Sequence, residues 1–573
     1  MSYAGVIRFS PYWFLVIALL AWMGTAQILS VRQDAPTWDE GTHLAAGYSY
    51  WKTGDLRLNP EHPPFGKLLN ALPLLWMHPK LPLDDPSWKA LKEVEFANQF
   101  LFHNTIDAGT LLFAGRLVTI VMTVLFGLCL ALWTRRRFGA PVALFALALF
   151  AFDPNLIAHG RYVTSDLLVA LFYFLACVSW GEYLIEGRTP WLILAGVSLG
   201  LAISSKFSAL ILLPVFFLLY LARCWQRRPK AVVRHALRSF LTVGLLAYAV
   251  IVATYAPEAR SFVPGIRLMN HSLPPARAAI RIESPTGFAL RWITNHLALG
   301  RSRFFEGLSL IAWHNTRGRE AYLLGRRSET GWWYYFPVVM LVKSPTGLLI
   351  GLAAATWIVA RRLLKTRWRE IQFAWFVLAI PVAVYFAAAS SARIDLGVRH
   401  LLPVFPFLFV LVSAILWRHR SRAVLAVAVA LVAIESTLIY PSYVAFFNLP
   451  SGGPGAGPRY LVDSNIDWGQ DLLRLKSYLN RQGNPRSCLC YFGTAFPEYY
   501  GMTNASLPTT RELQAGATPN CVAAVSVTPL MGIYVNDAWS WVRDHRPIAK
   551  IGYSIYVYDF RKNGQAASPA PGK

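Results

Sequence analysis

The stretch PYWFLVIALLAWMGTAQILSVRQDAPTWDEGTHLAAGYSYW, residues 11–51, decides the fold. Its first twenty residues are apolar, about the length that crosses a hydrocarbon core as a helix. The run is too long for a signal-peptide core and has no small-residue cleavage site, so it reads as a retained first membrane helix. Directly beyond it, Asp39 and Glu40 stand side by side among apolar and aromatic residues. A chain that resumes in this way after a membrane helix has a purpose for charge at the membrane surface.

The rest of the 573 residues repeats the first half of that pattern. Hydrophobic residues make up 55%, charged ones 15% and aromatic ones 14%, with a mean hydropathy of +0.39. The charged fraction is well below the roughly 25% of ordinary soluble domains, and a high ring content suits a membrane interface. Apolar runs fall near 11–30, 109–133, 140–157, 164–184, 190–204, 206–223, 236–256, 335–360, 371–389, 398–417 and 422–441. They predict a polytopic α-helical membrane protein with about eleven crossings, counting 190–223 as two helices broken around Ser204-Ser205-Lys206.

The net charge of +25 raises the question of nucleic acid, and the positions of the basic residues answer it. They lie in short links, at Arg135–Arg137, Arg223–Arg238, Arg361–Arg369 and Arg418–Arg422. That is the positive-inside pattern, which sets orientation. The break near Lys206 places all four links on one side. The N-terminus is then inside, and 31–108, 257–334 and the chain beyond 441 face outward.

Residues 1–441 form the expected transmembrane domain, and 442–573 a small outward α/β domain with a flexible end. In 31–108, HLAAGYSYW and FGKLLNALPLLW carry helical patterns, with Trp51 and Trp76 suited to an interface. TGFALRWITNHLALG (286–300) is amphipathic in the same way. In the tail, DWGQDLLRLKSYLNRQG predicts a helix with Leu472, Leu473, Leu475 and Leu479 on one side and Gly483 as its stop. SCLCYFG, CVAAVSV and GYSIYVYDF predict strands, and SGGPGAGP (451–458) reads as a flexible linker. Of six cysteines, Cys488, Cys490 and Cys521 lie in the tail, where one disulfide to Cys521 can form in an oxidising compartment. No internal repeat and no zinc-site spacing is present.

Several residues carry chemistry. An acidic pair at a helix end is often a cap, yet Asp39 and Glu40 sit where apolar surroundings favour proton transfer. Asn59, Glu61, His62 and Lys67 follow in the same segment, in LNPEHPPFGK. Asp166 opens a helix, as a first-turn carboxylate or a functional one. Lys206 lies between apolar runs and calls for an anionic partner. Lys343, Arg399 and His400 stand near predicted outer helix ends, as phosphate contacts or as side chains snorkelling to headgroups. GWWYYFP (331–337) reads as an aromatic belt, and Asp463 and Asp467 as caps for the helix that follows.

PTWDEGTHLAAGYSYWKTGDLRLNPEHPPFGKLL resembles the first outward loop of the dolichyl-phosphate-mannose–protein mannosyltransferases and their bacterial relatives, which include the lipid A aminoarabinose transferases. RYVTSDLLVALF, SKFSALILLP, GWWYYFPVVMLVKSP and VDSNIDWGQDL extend the resemblance to about residue 480. It implies a GT-C fold and an enzyme that moves a sugar from a polyprenyl-phosphate carrier to an acceptor hydroxyl with inversion. Asp39 is then the general base, assisted by Glu40. Lys206, Lys67, His62, Arg399, His400 and Lys343 contact the donor phosphate, and Asp166 and Glu61 orient the sugar. The aminoarabinose transferases have a Lys before the Pro of the later motif, where this chain has His62.

No glycine loop for a nucleotide phosphate is present, which fits a lipid-linked donor. No cofactor is indicated. Glu61 and His62 are two adjacent metal donors, a weak signal. The expected partners are the lipid-linked sugar, an acceptor protein, lipid or glycan, and the bilayer, with no nucleic acid. Basic inner links and the resemblance together point to a bacterial inner membrane, with the tail in the periplasm. The alternative function is a transporter or flippase of a lipid-linked sugar, for which repeated halves and mid-membrane charge are expected.

Overall fold

A computed structural model describes residues 11–227, 232–260, 303–363 and 372–561. The amphipathic stretch 286–300, the last residues of the tail and parts of the Arg223–Arg238 and Arg361–Arg369 links lie outside the described residues.

Each apolar run forms helix. Six described helices are long and apolar enough to cross a membrane: Pro11–Val31, Ala108–Phe138, Asp166–Glu186, Phe207–Arg227, Val232–Ala256 and Phe373–Ser391. Ala140–Phe152, Thr189–Ser205 and Phe405–Arg418 are shorter apolar helices, and Arg422–Leu438 follows the last of these. The 335–360 run is not one straight helix. Tyr335–Lys343 and Thr346–Arg362 are bent by 113°, because Pro345 disfavours helical backbone in the residue before it and Ser344 is extended. The break in 190–223 falls at Lys206, whose extended backbone ends the helix after Ser205.

Local sequence sets these helices. Asp107 caps Ala108–Phe138 by accepting from the Thr110 N–H, and Asp153 accepts from Asn155 and Leu156 at the next turn. Gly196 and Gly200 lie one turn apart on Thr189–Ser205. A Cβ on Gly200 would stand 2.8 Å from the Ala247 carbonyl oxygen, so the glycines let Val232–Arg260 approach closely.

Contacts across the bundle fix its two ends. At one end, Arg136 pairs with Glu186 at 2.8 Å and Phe138 meets Trp375 at 5.4 Å. Arg223 lies over the Phe373 ring at 5.0 Å, and Arg418 reaches Gln372. Four links from different parts of the chain therefore converge on one face. At the opposite end, Arg399 pairs with Asp39.

The first long loop is a packed layer. Glu40–Thr53 is buried from Glu40 to Tyr50, while Trp38, Trp51 and Trp76 of the same loop keep exposed rings. Pro64–Asn70, Leu74–Met77, Pro86–Ala90 and Glu93–Phe102 complete the layer. Within GWWYYFP, Trp333 is exposed as a belt residue would be, whereas Tyr335 and Phe336 are buried.

In the tail, the helix Leu472–Arg481 buries Leu472, Leu475 and Leu479. A five-stranded sheet runs in the order Asn504–Ser506, Ser487–Cys490, Val522–Ser526, Ile555–Asp559 and Ala549–Ile551. The first three strands are parallel, and Ile555–Asp559 runs antiparallel to both its neighbours. All three strands read from the sequence are present, and Cys488 pairs with Cys521. The glycine-rich stretch 451–458 is not a loose linker. Pro454–Arg459 forms 3-10 turns with Gly457 and Pro458 buried, and Tyr322 donates to the Pro458 carbonyl.

Candidate active site

A cavity of about 370 Å³ opens at the end of the bundle opposite the arginine links. Its polar side carries Asp39, Glu61, His62, Lys206, Arg399 and His400, and Phe207, Leu308 and Phe336 are among its apolar residues. Six of the ten residues expected to form the site thus share one wall, although Asp39 and Arg399 are 360 residues apart.

Asp39 occupies the N-cap position of Glu40–Thr53, but its side chain makes no capping bond. Its carboxylate instead accepts from Arg399 Nη1 at 2.8 Å. Arg399 also lies 3.6 Å from Asp166 Oδ2, and Lys206 pairs with Asp166 Oδ1. Asp166 therefore holds two cations from behind the cavity wall. The extended backbone of Lys206 and the short 3-10 turn Val398–Leu401 place those cations where regular helices would carry them past the site. The Arg399 guanidinium is braced over the Trp468 ring at 4.6 Å.

Histidines make up the remainder. The His62 ring stands edge-on to His43 at 4.9 Å. Burial pushes His62 well below the ordinary imidazole range and His43 to about 4. Both are neutral at pH 7, so His62 offers a hydrogen bond and not a fixed charge. Burial likewise raises Glu61, whose Oε2 lies 3.4 Å from His314 Nδ1.

The other expected residues lie elsewhere. Glu40 is wholly buried and accepts from Arg116 at 2.8 and 2.6 Å and from the Thr37 and Val163 N–H groups. Lys67 is buried and donates to the Tyr50 hydroxyl and the Asn59 carbonyl, with burial lowering it to about 7. Lys343 is buried and donates to the Val444 and Asn465 carbonyls. Tertiary partners absorb these three, and none of them lines the cavity.

Sequence reasoning did not single out His43, His314, Arg319 or Tyr385. The last three line the cavity, and the polar residues among them lie in segments with no motif to mark them. Nor do Asp463 and Asp467 cap the next helix. Asp471 is at that N-cap, while Asp463 accepts from the Tyr534 hydroxyl and Asp467 from the Thr528 N–H. Among the described residues no group of three His, Cys, Asp or Glu is placed to hold a metal ion.

The fold and the cavity define a multi-pass helical membrane protein with a charged site at one end of its bundle and a small α/β region over it. Residues 102–253 match the model of the dolichyl-phosphate-mannose-protein mannosyltransferase family, the group that the motifs resemble. No curated protein matches the chain. Among solved structures, ArnT from Cupriavidus metallidurans bound to undecaprenyl phosphate is 14% identical with a TM-score of 0.44, over 98% of this chain and 100% of that one. The same protein in the apo state is 13% identical with a TM-score of 0.45, over 96% and 98%. The S. cerevisiae Pmt1-Pmt2 complex bound to its sugar donor is 16% identical with a TM-score of 0.34, over 44% and 34%.

Proposed function

We propose that this chain is a membrane glycosyltransferase that moves a sugar from a polyprenyl-phosphate donor to an acceptor hydroxyl at the outward, periplasmic face. The observation that carries the reading is the meeting of Asp39, Arg399 and Lys206 at one partly apolar cavity. The match of 102–253 to the mannosyltransferase model supports the donor class.

The chemistry follows from the charges. The acceptor oxygen attacks the anomeric carbon, Asp39 takes its proton, and the carbon–oxygen bond to the phosphate breaks. The polyprenyl phosphate leaves with the bonding pair. A single in-line displacement inverts the anomeric centre. A phosphate leaving group needs little acid assistance but does need cations, which Arg399 and Lys206 supply. Arg399 engages Asp39 Oδ2. An arriving phosphate competes for that guanidinium and frees the carboxylate for the acceptor. Asp166 is a positioning residue that keeps both cations aimed at the cavity, and neutral His62 and His400 offer hydrogen bonds.

The test uses purified protein in lipid with a panel of radiolabelled polyprenyl-phosphate sugars and candidate acceptors. Wild type should transfer label from one carrier, and Asp39→Asn should lose about two orders of magnitude or more in turnover. Full turnover by Asp39→Asn would remove Asp39 as the base. Lys206→Ala should raise the donor KM more than it lowers kcat.

A further inference from the structure

A second concave site lies at the other end of the bundle. It is a cavity of about 440 Å³ lined by Trp357, Ile358, Arg361 and Arg362 from the end of one helix and by Arg418, His419, Arg420 and Ser421 from the turn between two others. It presents four guanidinium groups, and among the described residues no Asp or Glu lines it.

Basic residues at this face are expected from topology alone, so the relevant comparison is with the neighbouring cluster. Arg136 and Arg137, on the same face, are neutralised within the protein by Glu182 and Glu186. Arg361, Arg418 and Arg420 pair with no carboxylate among the described residues. Arg361 lies over the Trp357 ring at 4.2 Å, and Arg418 reaches only the neutral Gln372 Oε1, at 3.4 Å. Topogenic charge needs no concave site and no shared focus. Here three arginines from two separate chain segments line one hollow, where an anion from outside would relieve their mutual repulsion.

The apolar part of the lining selects the anion's source. Trp357 is 60% exposed and, with Ile358, it precedes the arginines on a helix that runs into the apolar bundle. Trp417, beneath the Arg422 guanidinium at 4.3 Å, directly precedes Arg418 on the other segment. Exposed indole near the end of an apolar helix, with guanidinium beyond it, matches the acyl-to-headgroup boundary of a bilayer. Basic pockets between membrane helices on the cytoplasmic side take anionic lipid headgroups. We infer that this pocket binds the phosphate headgroup of an anionic membrane phospholipid, with its acyl chains against Trp357 and Ile358, at a site separate from the sugar-transfer cavity.

The test is native mass spectrometry of the full chain in detergent, titrated with phosphatidylglycerol, phosphatidylcholine or inorganic phosphate. Wild type should retain phosphatidylglycerol at least tenfold more tightly than phosphatidylcholine. The double variant Arg361→Gln, Arg420→Gln should lose that preference while retaining phosphatidylcholine as before. Ser421→Glu, which adds a carboxylate at the pocket without removing a side chain, should do the same. Arg136→Gln, at the internally paired cluster, should leave the preference intact, and unchanged melting temperatures establish that the variants are folded. Inorganic phosphate at the same concentrations should not displace the lipid; displacement would make free phosphate the ligand and overturn the assignment. Equal phosphatidylglycerol retention by wild type, the double variant and Ser421→Glu would also overturn it.

Discussion

Two adjacent carboxylates illustrate how much position decides at the level of a single residue. Asp39 keeps 21% of its side-chain surface open and meets Arg399 at the cavity, whereas Glu40, one residue on, is fully enclosed with Arg116. Helix geometry turns successive side chains by about 100°, so one faces the site and the other the bundle. Glu40 is therefore better described as the pin that holds Asp39's helix against Ala108–Phe138 than as a partner in proton transfer. Removing it leaves the Arg116 guanidinium buried without its counter-charge, which costs about 3–5 kcal/mol. Glu40→Ala should lower the melting temperature in detergent strongly, while Asp39→Asn, which keeps a hydrogen-bond acceptor for Arg399, should leave it nearly unchanged. A stable Glu40→Ala protein lacking only transfer activity would return Glu40 to the chemistry. The pair itself is conspicuous in the sequence because two charges stand out after an apolar run. Its division of labour is not, because Arg116 lies 76 residues away and nothing local announces it.

Among the elements, the ones that break regularity do most to build the site. Lys206 ends one helix in an extended conformation, Ser344 bends a helix pair, and the 3-10 turn at Val398–Leu401 presents Arg399. Periodicity and hydropathy located the apolar helices and the three main strands, since burial in lipid or in a sheet leaves a regular mark on composition. They gave poor guidance wherever a short irregular segment is held by distant contacts, as at 451–458 and 463–468. The latter turn supplies a pH test. Asp467 is buried and accepts from the Thr528 N–H through Oδ2, and among the described residues Oδ1 has no partner. Burial pushes it up to about 8 from an ordinary 3.8. The folded chain thus binds a proton there that the unfolded chain releases between about pH 4 and pH 8. Its stabilising contribution is complete below the unfolded value and is lost as pH rises through the folded one. Thermal melts of wild type should show stability falling across that interval. Asp467→Asn, which mimics the protonated group, should flatten that part of the profile and melt higher than wild type at pH 8. An unchanged slope would mean that Asp467 is ionised in the fold.

At the scale of the whole molecule, charge is sorted between two ends. The arginine links gather at one, where Arg136, Arg223 and Arg418 come within reach of groups on shared neighbouring elements. The acidic Asp39 and Asp166 meet the cations of the cavity at the other, beneath the disulfide-bonded α/β region. The sorting was legible from the sequence because alternating helices force every second link to one side. What the sequence could not show is that one arginine cluster is matched internally by Glu182 and Glu186 while another is left to face a hollow, since those pairings depend on which helices touch. If the two ends lie on opposite sides of a bilayer, with the arginine end inside, each should be reachable by a charged thiol reagent from one side only. In a background with Cys129 and Cys224 replaced by Ala, Gln482→Cys in the tail should label in intact spheroplasts. Arg420→Cys should label only in inverted vesicles or after permeabilisation. Both positions are exposed in the fold, so the comparison reports sidedness and not burial. Labelling of both from the same side would overturn the two-ended arrangement and, with it, the separation of the proposed sugar-transfer cavity from the arginine-lined pocket.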